Sequence, residues 1–275
     1  MTKNDDYNMR TLSIVAIGLE DLIGALQRHK LICFLAYHDI RQRYQRSILG
    51  PFWITISMAV MIACLGVIFG SLFRSPINEF LPYLAAGLIL WNFISGCITD
   101  SATVFIVETR TMLQMPLPLS AYVAKVIIRN SLIMFHNILI FPFLMLVFDI
   151  RVGIEYLYFI PGLLLITFNL FFVCLALAII CVRFRDLTQI ISSLLQIAFY
   201  ASPIIWTPEL IMETGRRVIL DVNPIYYLLD LARNPLLGMI PNHKSWVIVF
   251  IMLATNAVLV LFFLGKTRFR VAYWL

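Results

Sequence analysis

The chain has 275 residues, 61% of them hydrophobic and only 13% charged, with a formal net charge of +6. That much apolar surface exceeds what one soluble core hides, so a soluble globular domain is excluded and an integral membrane protein is indicated. The basic excess sits beside the apolar runs, where membrane insertion places lysine and arginine, so it is assigned to the membrane and not to nucleic acid.

Residues 1–8 are a short polar stretch without the basic start, apolar middle and small-residue site of a secretory signal, and no cleavage is expected. Over residues 18–36, Leu19, Leu22, Ile23, Leu26 and Ile32 recur at helical spacing among Glu20, Asp21, Gln27, Arg28 and Lys30. This pattern predicts an amphipathic helix lying on the cytoplasmic membrane surface. The basic segment Arg41, Arg43 and Arg46 then meets Gly50, Pro51, Phe52 and Trp53, the composition of a chain entering lipid from the cytoplasm.

Six charge-free runs follow, at residues 47–73, 80–99, 130–148, 156–182, 187–208 and 245–265. Each is near or above the ~20 residues that a helix needs to cross the hydrocarbon core, which predicts an all-α polytopic membrane protein with six transmembrane helices. An even number returns both termini to one side. Fourteen of the 21 lysines and arginines fall in the N-terminal region, the second and fourth connections and the tail at 266–275. Six fall in the other connections and Arg129 in a span, so both termini are expected in the cytoplasm. Asp100 and Arg129 stand closest to span interiors, where charges are costly alone, and they are expected to pair.

Two connections are long. In the second, Glu108, Thr109, Arg110, Thr111, Met112, Leu113, Gln114 and Met115 precede Pro116 and Pro118. This reads equally as a short helix ended by prolines and presented to a partner, or as an ordinary loop. The region near 203–243 carries Pro203, Pro208, Pro224, Pro235 and Pro241. It reads as a pair of re-entrant outer helices covered by protein, or as an amphipathic loop on the outer surface.

Signs of catalysis are few. The five cysteines are odd in number and mostly lie inside apolar runs, and His29, His38, His136 and His243 lack the spacing of a metal site. Gly265-Lys266-Thr267 imitates the end of a phosphate-binding loop, but Val260 stands where that loop needs glycine. A membrane-embedded transferase acting on polyprenyl lipids would want clustered carboxylates for a divalent metal, and the inner loops offer Glu108 and Asp186. No catalytic residue and no metal ligand is assigned.

Three groups of residues resemble one family. The junction at 39–53 is similar to the start of the membrane domain in ABC-2 type transporter permeases that export bacterial polysaccharides. Residues 182–187 resemble their short inner loop, and 201–206, 223–227 and 233–238 resemble their outer re-entrant region. Residues 83–93 look closest to the O-antigen branch, with capsular polysaccharide and teichoic acid exporters as the alternatives.

The resemblance implies a homodimer in the bacterial inner membrane, joined to two copies of a separate ATPase subunit that holds the ATP and Mg. Residues 108–116 would correspond to the coupling helix that fits that subunit, and the interfacial helix would frame the substrate entrance. The domains implied are a cytoplasmic tail and interface helix at 1–46, a six-span membrane domain at 47–265, and a cytoplasmic tail. The substrate implied is a glycan on a lipid diphosphate. Sugars slide best along flat aromatics, for which Phe52, Trp53, Trp91, Phe93, Phe199, Tyr200 and Trp206 are the candidates, although anchoring at the membrane interface explains such residues too. Arg41, Arg43 and Arg46 would attract the diphosphate or serve as anchors facing anionic lipid.

Overall fold

The computed structural model describes residues 3–45, 47, 49–50, 52–115, 117–148, 153–209, 218–271 and 273–274. Helices α1 (Lys3–Gln27) and α2 (His29–Tyr44) replace the single surface helix expected at 18–36. The break falls at Arg28, which leaves helical geometry at φ −99°, ψ 18°. Helix α1 is held by α12, described below, so the chain must bend before α2 can lie along α6.

Among the described residues, five helical stretches are long and apolar enough to cross a membrane. They are α3 (Phe52–Phe73), α4 (Ile77–Val107), the pair α6 (Leu119–Ile138) and α7 (Ile140–Phe148), α8 (Phe159–Arg183) led in by the 3-10 turn Ile154–Tyr158, and α12 (His243–Val271). The join between α6 and α7 lies one turn before Pro142, whose ring removes the bond to Ile138 and crowds its carbonyl. The run at 187–208 forms α9 (Leu187–Ala201), a helix of 15 residues. At 1.5 Å per residue it is about 22 Å long, short of a ~30 Å hydrocarbon core.

Among the spans that exceed their charge-free runs, two do so across charges held in the interior of the bundle. Helix α4 continues past Asp100 to Val107, and the third span begins at Leu119, ahead of Lys125 and Arg129. Breaking runs at every charge cut them short because these charges are paired, as shown below.

The packed centre is made by α4, α6 and α8, with α11 (Pro224–Leu236) inserted against α4, α8 and α12 at one end. Between α9 and α11 lies the short helix α10 (Val218–Val222), and at the opposite end of the bundle lies α5 (Thr109–Gln114). Helix α1 crosses α12 at two glycines. A Cβ on Gly18 would lie 2.6 Å from the Leu261 carbonyl oxygen, and one on Gly265 would strike the Ile14 carbonyl. Small residues at such crossings let helices in lipid approach closely enough to pack.

Candidate functional site

A groove of about 870 Å³ lies between α3, α4 and α9. Trp91 of α4 and Phe199 of α9 face each other across it, ring centroids 5.6 Å apart, and Phe199 meets Tyr200 edge-on at 5.2 Å. Asn92, Ser95, Thr99, Ser192 and Gln196 line the same groove, so aromatic faces and hydrogen-bonding groups share its wall. This arrangement follows from helical spacing. Trp91, Ser95 and Thr99 share one face of α4 at steps of four, as do Ser192 and Gln196 on α9. A Cβ on Gly96 would lie 2.7 Å from the Asn130 side-chain oxygen, so the glycine lets Asn130 approach α4.

None of the residues of α9 is buried, and Tyr200 is 65% exposed. The groove is therefore open along α9.

The sequence candidates separate. Trp91, Phe199 and Tyr200 line the groove, and the Trp206 indole donates to the Tyr200 carbonyl at 3.1 Å. Phe93 is only 2% exposed, packed in the core, because two residues along a helix turn it ~200° away from Trp91. Phe52 and Trp53 are exposed at the start of α3 and do not reach the groove. Arg41 is exposed on α2, Arg43 lies in the last turn of that helix, and Arg46 lies outside the described residues.

Asp100 forms part of the groove wall and opens a charge network at its lower end. Arg129 Nη2 stands 2.8 Å from Asp100 Oδ2, and the Asn130 amide donates to the same oxygen at 2.9 Å. Arg129 Nη1 also reaches Asp39 Oδ2 on α2 at 3.4 Å, which Lys125 Nζ contacts at 3.0 Å. Lys125 in turn meets Glu108 Oε1 at 2.6 Å. Three carboxylates and two cations thus tie α2, α4 and α6 together. Lys125 and Arg129, four residues apart on one face of α6, repel each other unless carboxylates intervene. That spacing is the signal in the sequence that α6 needs acidic partners, and Asp39 is one of them.

Glu108 is drawn back into this network, so it is not an outward-facing residue of the 108–116 segment. Helix α5 follows it, Thr109 bonding back to the Phe105 carbonyl at 2.9 Å. None of the residues Thr109–Gln114 is buried, and Leu113 is 76% exposed. Met115 is also exposed, while Pro116 lies outside the described residues.

Two further clusters hold the frame. Asp21 of α1, 1% exposed, accepts from the backbone N–H groups of Leu119 (3.1 Å) and Ser120 (2.9 Å). These are orphan donors at the start of α6, where Pro118 supplies no side-chain cap, and a carboxylate there also meets the positive end of the helix dipole. At the other end of the bundle Arg233 of α11, 2% exposed, lies 4.3 Å over the Tyr83 ring and donates to its hydroxyl at 2.7 Å. The Tyr83 hydroxyl reaches the carbonyls of Pro203 and Trp206, each at 3.0 Å, which pins the turn after α9 against α4.

Residues 30–237 match the family described as ABC-2 type transporter. The chain belongs to that family. Among relatives, an O-antigen export system permease protein RfbA of Klebsiella pneumoniae is 22% identical over 246 residues, covering 88% of this chain and 93% of that protein. The RfbA of the same description from Myxococcus xanthus is 27% identical over 215 residues, covering 76% and 81%. The ABC-2 match begins inside α2 and ends just after α11, so it takes in the groove, the charge network and the Arg233 cluster.

Proposed function

We propose that this ABC-2 chain is the permease subunit of an exporter that carries lipid-linked polysaccharide, O-antigen on undecaprenyl diphosphate, across the bacterial inner membrane. The observation that carries this reading is the open groove. A passing glycan presents CH faces to Trp91, Phe199 and Tyr200 and hydroxyls to Asn92, Ser95 and Gln196. One chain forms such a groove and leaves α9 uncovered. A second copy related by a two-fold axis closes it into a conduit, since a two-fold interface sets the same patch against itself.

A separate ATPase subunit, in two copies, supplies ATP and Mg and engages residues 108–116, with the exposed Leu113 as the apolar contact. The network from Glu108 through Lys125, Asp39 and Arg129 to Asp100 gives that contact a continuous path to the groove wall. Arg41, Arg43 and Arg46 supply the positive charge that attracts the diphosphate headgroup. In this reading α9 and the turn at 202–206 complete a sixth crossing, residues 203–243 re-enter the outer leaflet, and both termini are cytoplasmic. The burial of Asp230 and Arg233 supports re-entrance, because a loop resting on the surface would leave them in water.

The test is deletion of the gene in the native host and complementation with wild type or Leu113→Arg. Complete lipid-linked polymer trapped inside the cell is expected on deletion, with an ATPase subunit that co-purifies with wild type and is lost with Leu113→Arg. Absent or unfinished polymer would overturn the reading and point to a membrane transferase.

A further inference from the structure

A second cavity of about 430 Å³ opens between α8 and α12 at the end of the bundle that carries α5, away from the groove. Its mouth is ringed by Arg183, Lys266 and Arg270, and its walls include Phe184, Phe262 and Trp274. The Arg183 guanidinium stands 5.0 Å from the Phe184 ring centroid and 5.3 Å from that of Trp274, so two aromatic contacts hold it in place. Among the described residues, none of the three cations is paired with a carboxylate. Their neighbour Arg268 is engaged elsewhere, by Asp21 at 3.4 Å and Glu20 at 3.7 Å on α1.

We propose that this pocket binds an acidic phospholipid of the bilayer, its phosphate held by Arg183, Lys266 and Arg270 and an acyl chain lying against Phe184, Phe262 and Trp274. The order of groups along α12 matches the order within a lipid. Phe262, Lys266 and Arg270 lie on one face, each step of four residues rising ~6 Å from apolar depth toward the headgroup. One turn deeper, Val258 and Leu259 are exposed and continue the apolar face into the bilayer. A soluble partner would meet the cations but not this depth. Basic pockets between helices at a membrane surface select lipids with two phosphates, so a diphosphatidyl lipid is the preferred occupant over one with a single phosphate.

The experiment uses the full chain in nanodiscs of phosphatidylcholine doped with cardiolipin, phosphatidylglycerol or undecaprenyl diphosphate, followed by native mass spectrometry of the lipids retained. Both leaflets are accessible there, so the result does not depend on the orientation or the substrate proposed above. Cardiolipin adducts are expected on wild type, with phosphatidylglycerol held less well. Retention should fall by roughly a hundredfold in Arg183→Gln/Lys266→Gln/Arg270→Gln, each surface cation contributing at most about tenfold. Lys266→Arg, which keeps the charge, should retain the lipid, and elution of each variant at the wild-type volume checks its fold. Arg28→Gln/Lys30→Gln removes charge from exposed positions at the α1–α2 break and in the first turn of α2 and should change nothing. Equal retention by the triple variant, equal loss in this control, or undecaprenyl diphosphate held in place of the phospholipid would each overturn the proposal.

Discussion

Helices α4 and α9 face each other across the groove and are both strongly apolar, yet α4 buries sixteen of its residues and α9 none. The difference lies in side-chain size and not in hydrophobicity. Lipid tails are as apolar as leucine, so helices in a bilayer associate where they can approach closely and hydrogen-bond. Helix α4 offers Ala85, Ala86, Gly87 and Gly96, and a Cβ on Gly87 would come within 3.0 Å of the Ile204 carbonyl. Helix α9 has no glycine and divides its faces, with Ser192 and Gln196 toward the groove and Leu194 and Ile197 outward. The packed region therefore sets the shape, and the open region is left for whatever passes or pairs.

Substitutions in the packed region should damage the fold, and those along α9 should spare it. The largest effect is expected for Arg233→Ala, which strips partners from Tyr83 and the Pro203 carbonyl and costs about 3 kcal/mol. A large drop in melting temperature in detergent checks it. Next comes Gly265→Val, which forces α1 away from α12 at a cost of about 1–3 kcal/mol. Limited proteolysis should then cut α1 while the bundle stays protected.

Asn169→Ala is smaller. It removes the bond to the Val249 carbonyl and the one received from Asn256, worth about 1 kcal/mol in total for a polar contact between membrane helices. Thermal unfolding should show a smaller shift for Asn256→Ala, which removes one of these two bonds. The smallest effect on stability, within about 0.5 kcal/mol, is expected for Ser192→Leu/Gln196→Leu on α9, where neither side chain is buried. The same variant should nevertheless lower surface polysaccharide severalfold, read from extracted glycolipid on a gel. A fold lost with this double variant would break the comparison between the two helices.

Much of this division was legible in the sequence. Uninterrupted runs such as 156–182 and 245–265 needed only length and hydropathy, and they lie within long helices here. The runs at 80–99 and 130–148 stopped short because a charge was treated as an end, whereas Asp100, Lys125 and Arg129 neutralise one another and Asp39. Trp91, Phe199 and Tyr200 come together because two helices carry them to one cavity. Phe93 does not, since choosing residues near a span end ignores the rotation between neighbours. Asp21 and Tyr83 were missed as structural residues for another reason. Their partners lie near residue 119 and residue 233, and no local periodicity encodes a contact over such separations.

The crossing of α1 with α12 has a consequence for biogenesis. Gly18 sits against Leu261, Gly265 against Ile14, and Arg268 reaches the Ile17 carbonyl at 3.4 Å. Helix α1 leaves the ribosome more than two hundred residues before these contacts exist. Its seat is thus finished only when the last span has been made, and a nascent chain halted before residue 261 lacks the α12 half of that seat, while the bonds of Asp21 to the start of α6 can already form.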